Sequence, residues 1–389
     1  MTLTSQFVRM VATASRGYGQ VARRAPLRVV YLDHSAMLSG GELALARLLP
    51  ALDGVEPHVI LAEDGPLAER LRTAAISFEV LPMASVAREL RRDRIRAGRL
   101  PLGSVVVAAA YVVRLAGRLR RLRPDLVHTN SLKAAIYGGL AARLAGVPVV
   151  WHIRDRISED YLPPAAVRLV RALGRWVPAG VIANSQSTLD TLGPLPCPTA
   201  VVPSPVDPAL LDRYHPPRGD RPFTVAMVGR LAPWKGQRVF LEAFAKAFPG
   251  GMERALVVGG ALFGEGDYER ELFALTAQLG LTDRVEFTGN VDDVAAQLDR
   301  ADVLVHASVI PEPFGLVVVV VDGCRAACHR SRRRWTGGGH HPRGRWAALP
   351  TGRRRHTRVN ARQRTGREAY DGWSVGNEGA YDRRTICAE

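Results

Sequence analysis

The chain of 389 residues contains two successive series in which short apolar runs alternate with stretches of helical apolar spacing. The first series starts with LRVVYLDH and continues through PHVILAE, ISFEVLP, DLVHTN, VPVVWHI and AGVIANS. The second starts with FTVAMVG and continues through RALVVGG, RVEFTG and DVLVHAS. This alternation is typical of a parallel sheet that helices cover on both faces. The sequence therefore predicts an α/β protein with two doubly wound, Rossmann-like domains.

A proline-rich stretch separates the two series and predicts a linker at residues 196–221. We expect an N-terminal extension at residues 1–26, a first domain at 27–195 and a second domain at 222–321. Open parallel sheets bind ligands at the carboxyl ends of their strands. Two such domains are therefore expected to face each other across a substrate cleft.

The composition changes abruptly at about residue 320. Residues 322–389 hold 16 Arg against six acidic residues, and only four residues from the set Val, Ile, Leu, Met and Phe. A segment with so few large apolar side chains and so much like charge cannot offset its chain entropy by burial, so we expect a disordered tail. The second domain is then incomplete, and we expect its strand DVLVHAS and the run LVVVVV to lack covering partners.

Composition also bears on the compartment. No run reaches 18 consecutive apolar residues, and the first 25 residues lack the apolar core of a secretory signal. Four Cys residues are too few and too scattered for a disulfide framework, which favours a cytoplasmic protein. The segment at residues 104–124 is apolar first and Arg-rich afterwards. It is either a core-packed helix with a solvated end or an amphipathic helix in peripheral contact with the inner face of the plasma membrane.

The stretch FTVAMVGRLAPWKG places two cations beside a predicted helix N-terminus. The strand ends at Val228, Gly229 makes the turn, and Arg230 and Lys235 precede a helix that begins near Gly236. Backbone amides and the helix dipole add to these side-chain charges, so the loop predicts a site for a diphosphate. A solvated loop with ordinary basic residues is the alternative.

A second motif, SVIPEPFGL, follows the predicted strand DVLVHAS. Glu312 lies between two prolines that stiffen the loop, and Gly315 allows a ligand to approach the backbone. A carboxylate fixed at a strand end can accept hydrogen bonds from sugar hydroxyls. The alternative is a turn with a surface acid.

These two motifs, about 80 residues apart, resemble those of the family 4 glycosyltransferases, which have the GT-B fold. The resemblance covers residues 28–319 and rests on SGGELALARLL, WHIRD, IANSQSTLDTL, VGRLAPWKGQ, FTGNVDDV and PEPFGLVVV. It implies a retaining enzyme that moves a sugar from a nucleotide-diphosphate sugar to an acceptor hydroxyl, with no metal or other cofactor. The implied partners are that donor and a glycan or lipid-linked acceptor of cell-surface polysaccharide or glycolipid synthesis, with no specific nucleic acid.

The resemblance also implies roles for individual residues. Arg230 and Lys235 match positions that hold the donor diphosphate and stabilise charge on the leaving group. Glu312 matches the first acid of a Glu-x7-Glu motif that contacts the donor sugar. His152 matches a histidine that faces the reacting centre, with a structural role as the alternative for this lone His. The other implied donor contacts are Gly40, Gly41, Gly229, Val291, Phe314, Gly315 and Leu316.

The sequence leaves the family pattern after residue 319. Val320 stands where the second acid of the Glu-x7-Glu motif is expected. One T inserted into codons for Glu-Ser-Met yields Val-Val-Asp, the residues at 320–322, and reading 322–330 one base later permits Met-Ala-Ala-Gly-Leu-Pro-Val-Ile-Ala, which follows the family pattern. We therefore predict a frameshift in the gene or in its sequencing. The chain as written is expected to fold its second domain poorly and to have little or no activity.

Three alternatives are open. A natural Arg-rich tail would make the chain a non-enzymatic protein that binds nucleic acid or anionic lipid. Cys324 and Cys328 with His340 and His341 have the residue types of a zinc site, which a frameshift makes accidental. Within the same fold, the alternative enzyme is a nucleotide-sugar epimerase.

Overall fold

The computed structural model describes residues 26–84, 102–206, 220–262, 264–315, 317 and 328–330. The chain divides into two compact units. Among the described residues, the first unit contains 26–206 and Glu312–Phe314, and the second contains 220–311, Gly315, Val317 and 328–330.

The first unit is built on a seven-stranded sheet. Its strands are β1 (Leu27–Asp33), β2 (Val55–Leu61), β3 (Ser77–Val80), β4 (Leu126–Thr129), β5 (Val149–Ile153), β6 (Gly180–Ala183) and β7 (Thr199–Val201). The helices between them are α1 (Gly40–Leu48), α2 (Pro66–Thr73), α3 (Leu102–Leu122), α4 (Leu132–Ala145), α5 (Pro164–Gly174) and α6 (Gln186–Asp190). All strand pairs are parallel in the order β3-β2-β1-β4-β5-β6-β7, which is the doubly wound arrangement.

Two apolar layers cover the first sheet. Leu32 and Trp151 pack in one layer with residues of α3 and α4, whereas Tyr31, Val150 and Ile182 pack in the other with residues of α1. Neighbouring residues of one strand therefore enter opposite layers, as the pleat of a strand requires. Because both faces are covered, the strands read as continuous apolar runs, and the sequence prediction of this sheet is confirmed.

The second unit is built on a five-stranded parallel sheet among its described residues. Its strands are β8 (Thr224–Val228), β9 (Arg254–Val258), β10 (Val285–Phe287), β11 (Val303–His306) and β12 (Cys328–Arg330), in the order β10-β9-β8-β11-β12. Its helices are α7 (Gln237–Ala247), α8 (Gly266–Gln278) and α9 (Val294–Leu298). Phe240, Phe244 and Leu272 pack against Met227 and Val257 of the sheet in a single core. The predicted second Rossmann-like fold is confirmed.

The predicted linker at 196–221 differs from the structure at its start, because residues 199–201 form strand β7 beside β6. A three-residue strand is too short to show a periodic pattern, and the prolines around it read as linker. Prolines are tolerated here because β7 is the edge of the sheet. Residues 207–219 of the predicted linker lie outside the described residues.

The predicted extension and tail lie outside the described residues, except for Pro26 and residues 328–330. Strand β12 lies parallel to β11, with Leu304 opposite Cys328, while β8 pairs with β11 on its other side. Residues 328–330 of the predicted tail therefore give β11 a backbone partner on this side. Strand pairing uses backbone N–H and C=O groups, which the polar sequence Cys-His-Arg also supplies.

The segment at 104–124 lies almost wholly within α3. Leu115 and Leu119 are fully buried in the core of the first unit, which confirms a core-packed helix. Val106 and Val113 are exposed on the same helix, so the membrane contact stays a prediction. In the part of the chain that the structure describes, no helix is long and apolar enough to cross a membrane.

Two helical glycines give a matched prediction about packing. A Cβ added at Gly139 in α4 would lie 2.7 Å from Val177 Cγ1 and 2.8 Å from Trp151 Nε1, both buried. Gly139→Ala is therefore expected to destabilise the protein by about 1–3 kcal/mol. A Cβ added at Gly117 in α3 meets no atom within 4 Å. Gly117→Ala is expected to stabilise by about 0.5–1 kcal/mol, because alanine loses less backbone entropy in a helix.

Urea unfolding followed by circular dichroism measures both effects. The transition midpoint should fall for Gly139→Ala and rise for Gly117→Ala, with the slope unchanged in each case. A midpoint that moves in the same direction for both variants would contradict the close helix–sheet contact at Gly139.

Candidate functional site

Arg230 and Lys235 lie in the loop that joins β8 to α7, at the carboxyl end of the second sheet. The Leu231 amide donates to the Gly260 carbonyl at 3.1 Å, and Gln237 Nε2 donates to the Arg230 carbonyl at 2.9 Å. Gln237 is fully buried and begins α7, so it ties the loop to the helix. The backbone on both sides of Arg230 is thus fixed before any ligand binds.

The side chain of Lys235 is held along its length. Its Nζ lies 4.5 Å from the centroid of the Trp234 ring, in a cation–π contact. Its aliphatic part passes Gly229, where an added Cβ would lie 3.7 Å from Lys235 Cδ. The structure therefore places Gly229, Arg230 and Lys235 on one loop, next to the N-terminus of α7.

A close backbone approach joins this loop to the one that follows β11. Gly236 has φ +85°, and a Cβ there would collide with the Ala307 carbonyl oxygen, so only glycine fits without displacement. The Val309 amide also donates to the Trp234 carbonyl at 2.9 Å. The chain that leads from β11 toward Glu312 is thereby tied to the loop that carries Lys235.

The loops after β9 and β10 are joined in a similar way. The Gly259 amide donates to the Gly289 carbonyl at 3.0 Å, and the Gly260 amide donates to Asn290 Oδ1 at 3.1 Å. Val291 follows directly and is half-buried. The four loops after β8, β9, β10 and β11 therefore form one connected surface at the carboxyl edge of the second sheet.

Arg230 pairs with an acid that the sequence analysis missed. Its Nε lies 3.3 Å from Glu265 Oε2, and both side chains are 21% exposed. Glu265 stands directly before α8 in the loop after β9. The available signal was an acid that stands just before a predicted helix, in the loop after a neighbouring strand of the same sheet.

Glu312 is nearly buried and packs with the first unit. The hydroxyls of Ser185 and Thr188 donate to the carbonyl of the next residue, Pro313, the latter at 3.2 Å. Phe314 is half-buried, and Gly315 has φ +75°. Leu316 lies outside the described residues.

In the first unit, a row of buried polar side chains follows the carboxyl ends of β1, β4 and β5. Asn130 Nδ2 donates to Asp33 Oδ2 at 2.6 Å and to the Gly41 carbonyl at 3.1 Å. Arg154 Nε donates to Asn130 Oδ1 at 3.0 Å, and its Nη1 donates to Ser204 Oγ at 2.9 Å. One hydrogen-bonded row therefore crosses the central strands of the sheet.

The two predicted glycines of the first unit lie at this row. Gly40 is the first residue of α1. Gly41 follows, and an added Cβ there would lie 3.4 Å from Arg154 Cδ and 4.0 Å from Asn130 Nδ2. The small residue lets the start of α1 pass over the arginine.

His152 lies two residues before Arg154, in strand β5, and is 2% exposed. Its Nδ1 lies 3.4 Å from Arg154 Nη2, and its ring packs edge-on against His128 with centroids 5.2 Å apart. Burial, the Arg154 charge and His128 together hold the pKa of His152 well below its usual value. The imidazole is therefore neutral at pH 7.

The charges in the row are balanced. Burial lowers the pKa of Arg154 to about 10, so its guanidinium stays charged at neutral pH. Burial alone would raise the pKa of Asp33, but hydrogen bonds from His34 and Asn130 outweigh it and lower that pKa. Burial and the Asp33 charge raise the pKa of Glu42, on α1, to about 7. Asp33 and Arg154 thus form a compensated buried pair with a weaker acid beside them.

Asp33, His34 and Glu42 could supply ligand atoms to a metal, since one atom from each lies within 4.8 Å of the others. These atoms already have partners, because His34 Nδ1 lies 2.8 Å from Ser131 Oγ and Ser39 Oγ donates to Glu42. The Arg154 cation nearby disfavours a second positive charge. Among the described residues, this group is better explained as part of the hydrogen-bonded row.

Asp33, Asn130 and Arg154 were not predicted from the sequence, although Asp33 is the last residue of β1 and the other two directly follow β4 and β5. The stretches LDH, TNS and HIRD carry the signal, because the carboxyl ends of parallel strands meet at one edge. The candidate zinc residues Cys324, His340 and His341 lie outside the described residues, as do the side-chain contacts of Cys328.

Models of known protein families match both parts of the chain that form the two sheets. A family model described as "Glycosyltransferase Family 4" matches residues 43–210, and one described as "Glycosyl transferases group 1" matches residues 212–319. The 2-deoxystreptamine glucosyltransferase of Streptomyces kanamyceticus is 31% identical over 256 residues, which cover 58% of this chain and 64% of that protein. This chain therefore spans less than two thirds of that relative.

Two further proteins extend the comparison. The UDP-Gal:alpha-D-GlcNAc-diphosphoundecaprenol alpha-1,3-galactosyltransferase of Escherichia coli is 25% identical over 309 residues, covering 69% of this chain and 73% of that protein. The crystal structure of Anabaena Alr3699/HepE in complex with UDP and glucose superimposes with a TM-score of 0.67 and 28% identity, covering 80% of this chain and 82% of that one. The folds and motifs define a GT-B glycosyltransferase. The chain belongs to the family 4 glycosyltransferases.

The raised pKa of Glu42 predicts a pH dependence of stability. The folded state holds a proton on Glu42 up to about pH 7, whereas the unfolded chain releases it near pH 4.5. The contribution of Glu42 to folding stability should therefore fall as pH rises through this window, by on the order of 1–3 kcal/mol, whereas the buried His128 and His152, whose pKa values are lowered by burial, contribute in the opposite sense. Glu42→Gln keeps an oxygen that accepts from Ser39 but has no proton to lose. We expect the variant to lack this fall and to be more stable than the parent at pH 8.

Thermal unfolding between pH 4.5 and pH 8 measures the difference. Glu69→Gln is the matched control, because Glu69 is an exposed acid on α2. It should leave the pH profile of the parent unchanged. Parallel profiles for Glu42→Gln and the parent would contradict a buried, proton-holding Glu42.

Proposed function

We propose that this chain transfers a sugar from a nucleotide-diphosphate sugar to an acceptor hydroxyl, with retention at the anomeric carbon and without a metal. The loop that carries Arg230 and Lys235 at the carboxyl edge of the second sheet is the observation that carries the proposal. The similar Anabaena structure holds UDP and glucose, which supports a nucleotide-sugar donor.

The proposed chemistry needs fixed positive charge at the leaving group. As the bond to the anomeric carbon breaks, negative charge grows on the diphosphate, and preorganised cations stabilise that charge. Arg230 is held by its backbone and by Glu265, and Lys235 is held against Trp234. The amides at the start of α7 add to this field. Two protein cations can thereby supply the charge that a divalent metal would otherwise bring.

The remaining roles follow the family resemblance. Glu312 would accept hydrogen bonds from hydroxyls of the donor sugar, with the backbone of Phe314, Gly315 and Leu316 beside sugar and phosphate. Val291 would lie near the base, and Gly40 and Gly41 would let the backbone of α1 approach the donor phosphates. His152 would act at the reacting centre.

A glycan or lipid-linked acceptor at the cell surface is the proposed second substrate. The name of the Escherichia coli relative specifies a diphosphoundecaprenol acceptor, which is lipid-linked. Exposed valines on α3, with Arg120 and Arg121 in its last turn, are compatible with peripheral contact with a membrane that holds such an acceptor.

We infer further that the active enzyme is encoded in a reading frame that changes after codon 319. The match to "Glycosyl transferases group 1" ends at residue 319. Strand β12 occupies residues 328–330, which read one base later as Val-Ile-Ala. Three apolar residues suit a strand beside the buried β11 better than Cys-His-Arg does. The same shift restores Glu at position 320.

Removing one base from codon 320 tests this inference. The frame-restored protein is expected to release nucleotide from a donor sugar in the presence of acceptor, whereas the chain as written shows no measurable release. A screen of UDP-, GDP- and ADP-sugars with a lipid-linked acceptor extract supplies the assay. Equal activity of the two proteins would overturn the frameshift, and release that needs no acceptor would favour an epimerase.

The cation loop is tested in the frame-restored protein. Replacing Arg230 and Lys235 together by Gln is expected to lower kcat/KM by about 10²–10³-fold, because leaving-group charge is then unopposed. Arg238→Gln is the matched control, since Arg238 is an exposed arginine of α7 that pairs with Glu242 at 3.6 Å. It should retain the parent rate, and EDTA should leave that rate unchanged. Full activity of the double variant would exclude the proposed role.

A further inference from the structure

In the buried row of the first unit, the chemistry of each group determines which atom donates and which accepts in every hydrogen bond. Asp33 is ionised and can only accept, so the atom of Asn130 that faces it at 2.6 Å must be the amide nitrogen. The Gly41 carbonyl, also an acceptor, faces the same nitrogen. The oxygen of Asn130 must then face Arg154, whose nitrogens can only donate.

Arg154 determines which nitrogen of His152 accepts a hydrogen bond. Its Nε donates to Asn130 and its Nη1 donates to Ser204, which fixes the plane of the guanidinium. The third nitrogen, Nη2, lies 3.4 Å from His152 Nδ1. A guanidinium has no lone pair to offer, so Nδ1 must be the acceptor and cannot carry a proton. The proton of the neutral ring therefore lies on Nε2.

The Nε2 group has no hydrogen-bond partner among the described residues, although the ring is almost fully buried. His128 packs against the ring at 81° and leaves both of its own nitrogens without partners too. A buried donor that lacks a partner is costly to keep, so a ligand oxygen that reached Nε2 would gain a hydrogen bond for which no described protein group competes. A histidine retained only for packing would gain stability from an apolar replacement.

We propose that Arg154 is a positioning residue that locks His152 as the neutral Nε2–H tautomer, so that His152 acts on a substrate oxygen as a hydrogen-bond donor and not as a base. The hydrogen bond to a substrate oxygen rests on the proposed function, whereas the assignment of the Nε2–H tautomer does not. The depressed pKa of His152 agrees with this assignment, because a second proton is disfavoured beside the Arg154 charge.

Nitrogen NMR of the full chain, labelled with ¹⁵N-histidine, reads the tautomer directly. The signal of His152 is assigned among the ten histidines by its loss in His152→Gln. We expect an unprotonated Nδ1 and a protonated Nε2 at neutral pH, with no second tautomer. A proton on Nδ1, or on both nitrogens, overturns the assignment without any mutation in the measured protein.

A variant then tests whether Arg154 sets the tautomer. In Arg154→Met the donor and the charge are lost at similar side-chain length, so the Nδ1–H form or the doubly protonated form should become populated. Arg156→Met is the matched control, because Arg156 bonds to Ser187 Oγ at 2.9 Å and not to His152. It should leave the His152 signals unchanged. Identical signals in Arg154→Met, with its fold confirmed by circular dichroism, refute the positioning role.

Measurements of kcat/KM in the frame-restored protein distinguish a hydrogen-bond donor from a base at position 152. Gln at position 152 keeps an N–H donor, whereas Phe keeps only the ring. A donor role predicts that His152→Phe loses about 10- to 100-fold of kcat/KM and that His152→Gln loses several-fold less. Equal losses of about 100-fold or more in both would indicate a base and overturn the donor role. If no transfer occurs but the tautomer is as expected, the proposed function fails and the Arg154–His152 assignment stands.

Discussion

Parallel hydrogen bonding between short, buried strands is the constraint on which both units depend. Because all strands of such a sheet run in one direction, the residues that follow them meet along one edge. Asp33, Asn130 and Arg154 are therefore neighbours although they are far apart in the sequence. In the second unit, the same constraint brings the loops after β8, β9 and β11 together, and close backbone approaches at Gly236 and Gly259 join them. The clustering of polar groups at this edge is thus a direct consequence of strand direction.

The elements that sequence predicted well are those with strong local signals. Continuous apolar runs with helical stretches between them were enough to place both sheets, since a parallel sheet buries both of its faces. The cation loop was also visible locally, because Arg230, Lys235 and the helix start stand within a few positions of one another. Strands β7 and β12 were not predicted, because three residues of backbone pairing leave no periodic pattern in the side chains.

The side-chain network of the first unit could not be predicted from the sequence, because it depends on the three-dimensional arrangement of the strands. Arg154 is one residue past β5, but its partners are the residue after β4 and a residue of the chain after β7, and only the strand register brings them within reach. His152 could be chosen by resemblance, yet its neutral state depends on burial and on the arginine beside it. Burying Arg154 without Asp33 and Asn130 would be very costly, because an isolated charge loses its hydration without compensation. These residues therefore function as a set.

The ion pair between Arg230 and Glu265 has a consequence for the proposed donor site. If Arg230 binds a diphosphate as proposed, that anion would compete with a carboxylate that lies 3.3 Å from Arg230 Nε, so it would gain only the difference between two anionic partners. Glu265 would then pair with Arg230 again once the nucleotide has left. Under that proposal, Arg230 would bind the nucleotide less tightly than a cation without an acidic neighbour, and the nucleotide product would be released more readily before the next turnover.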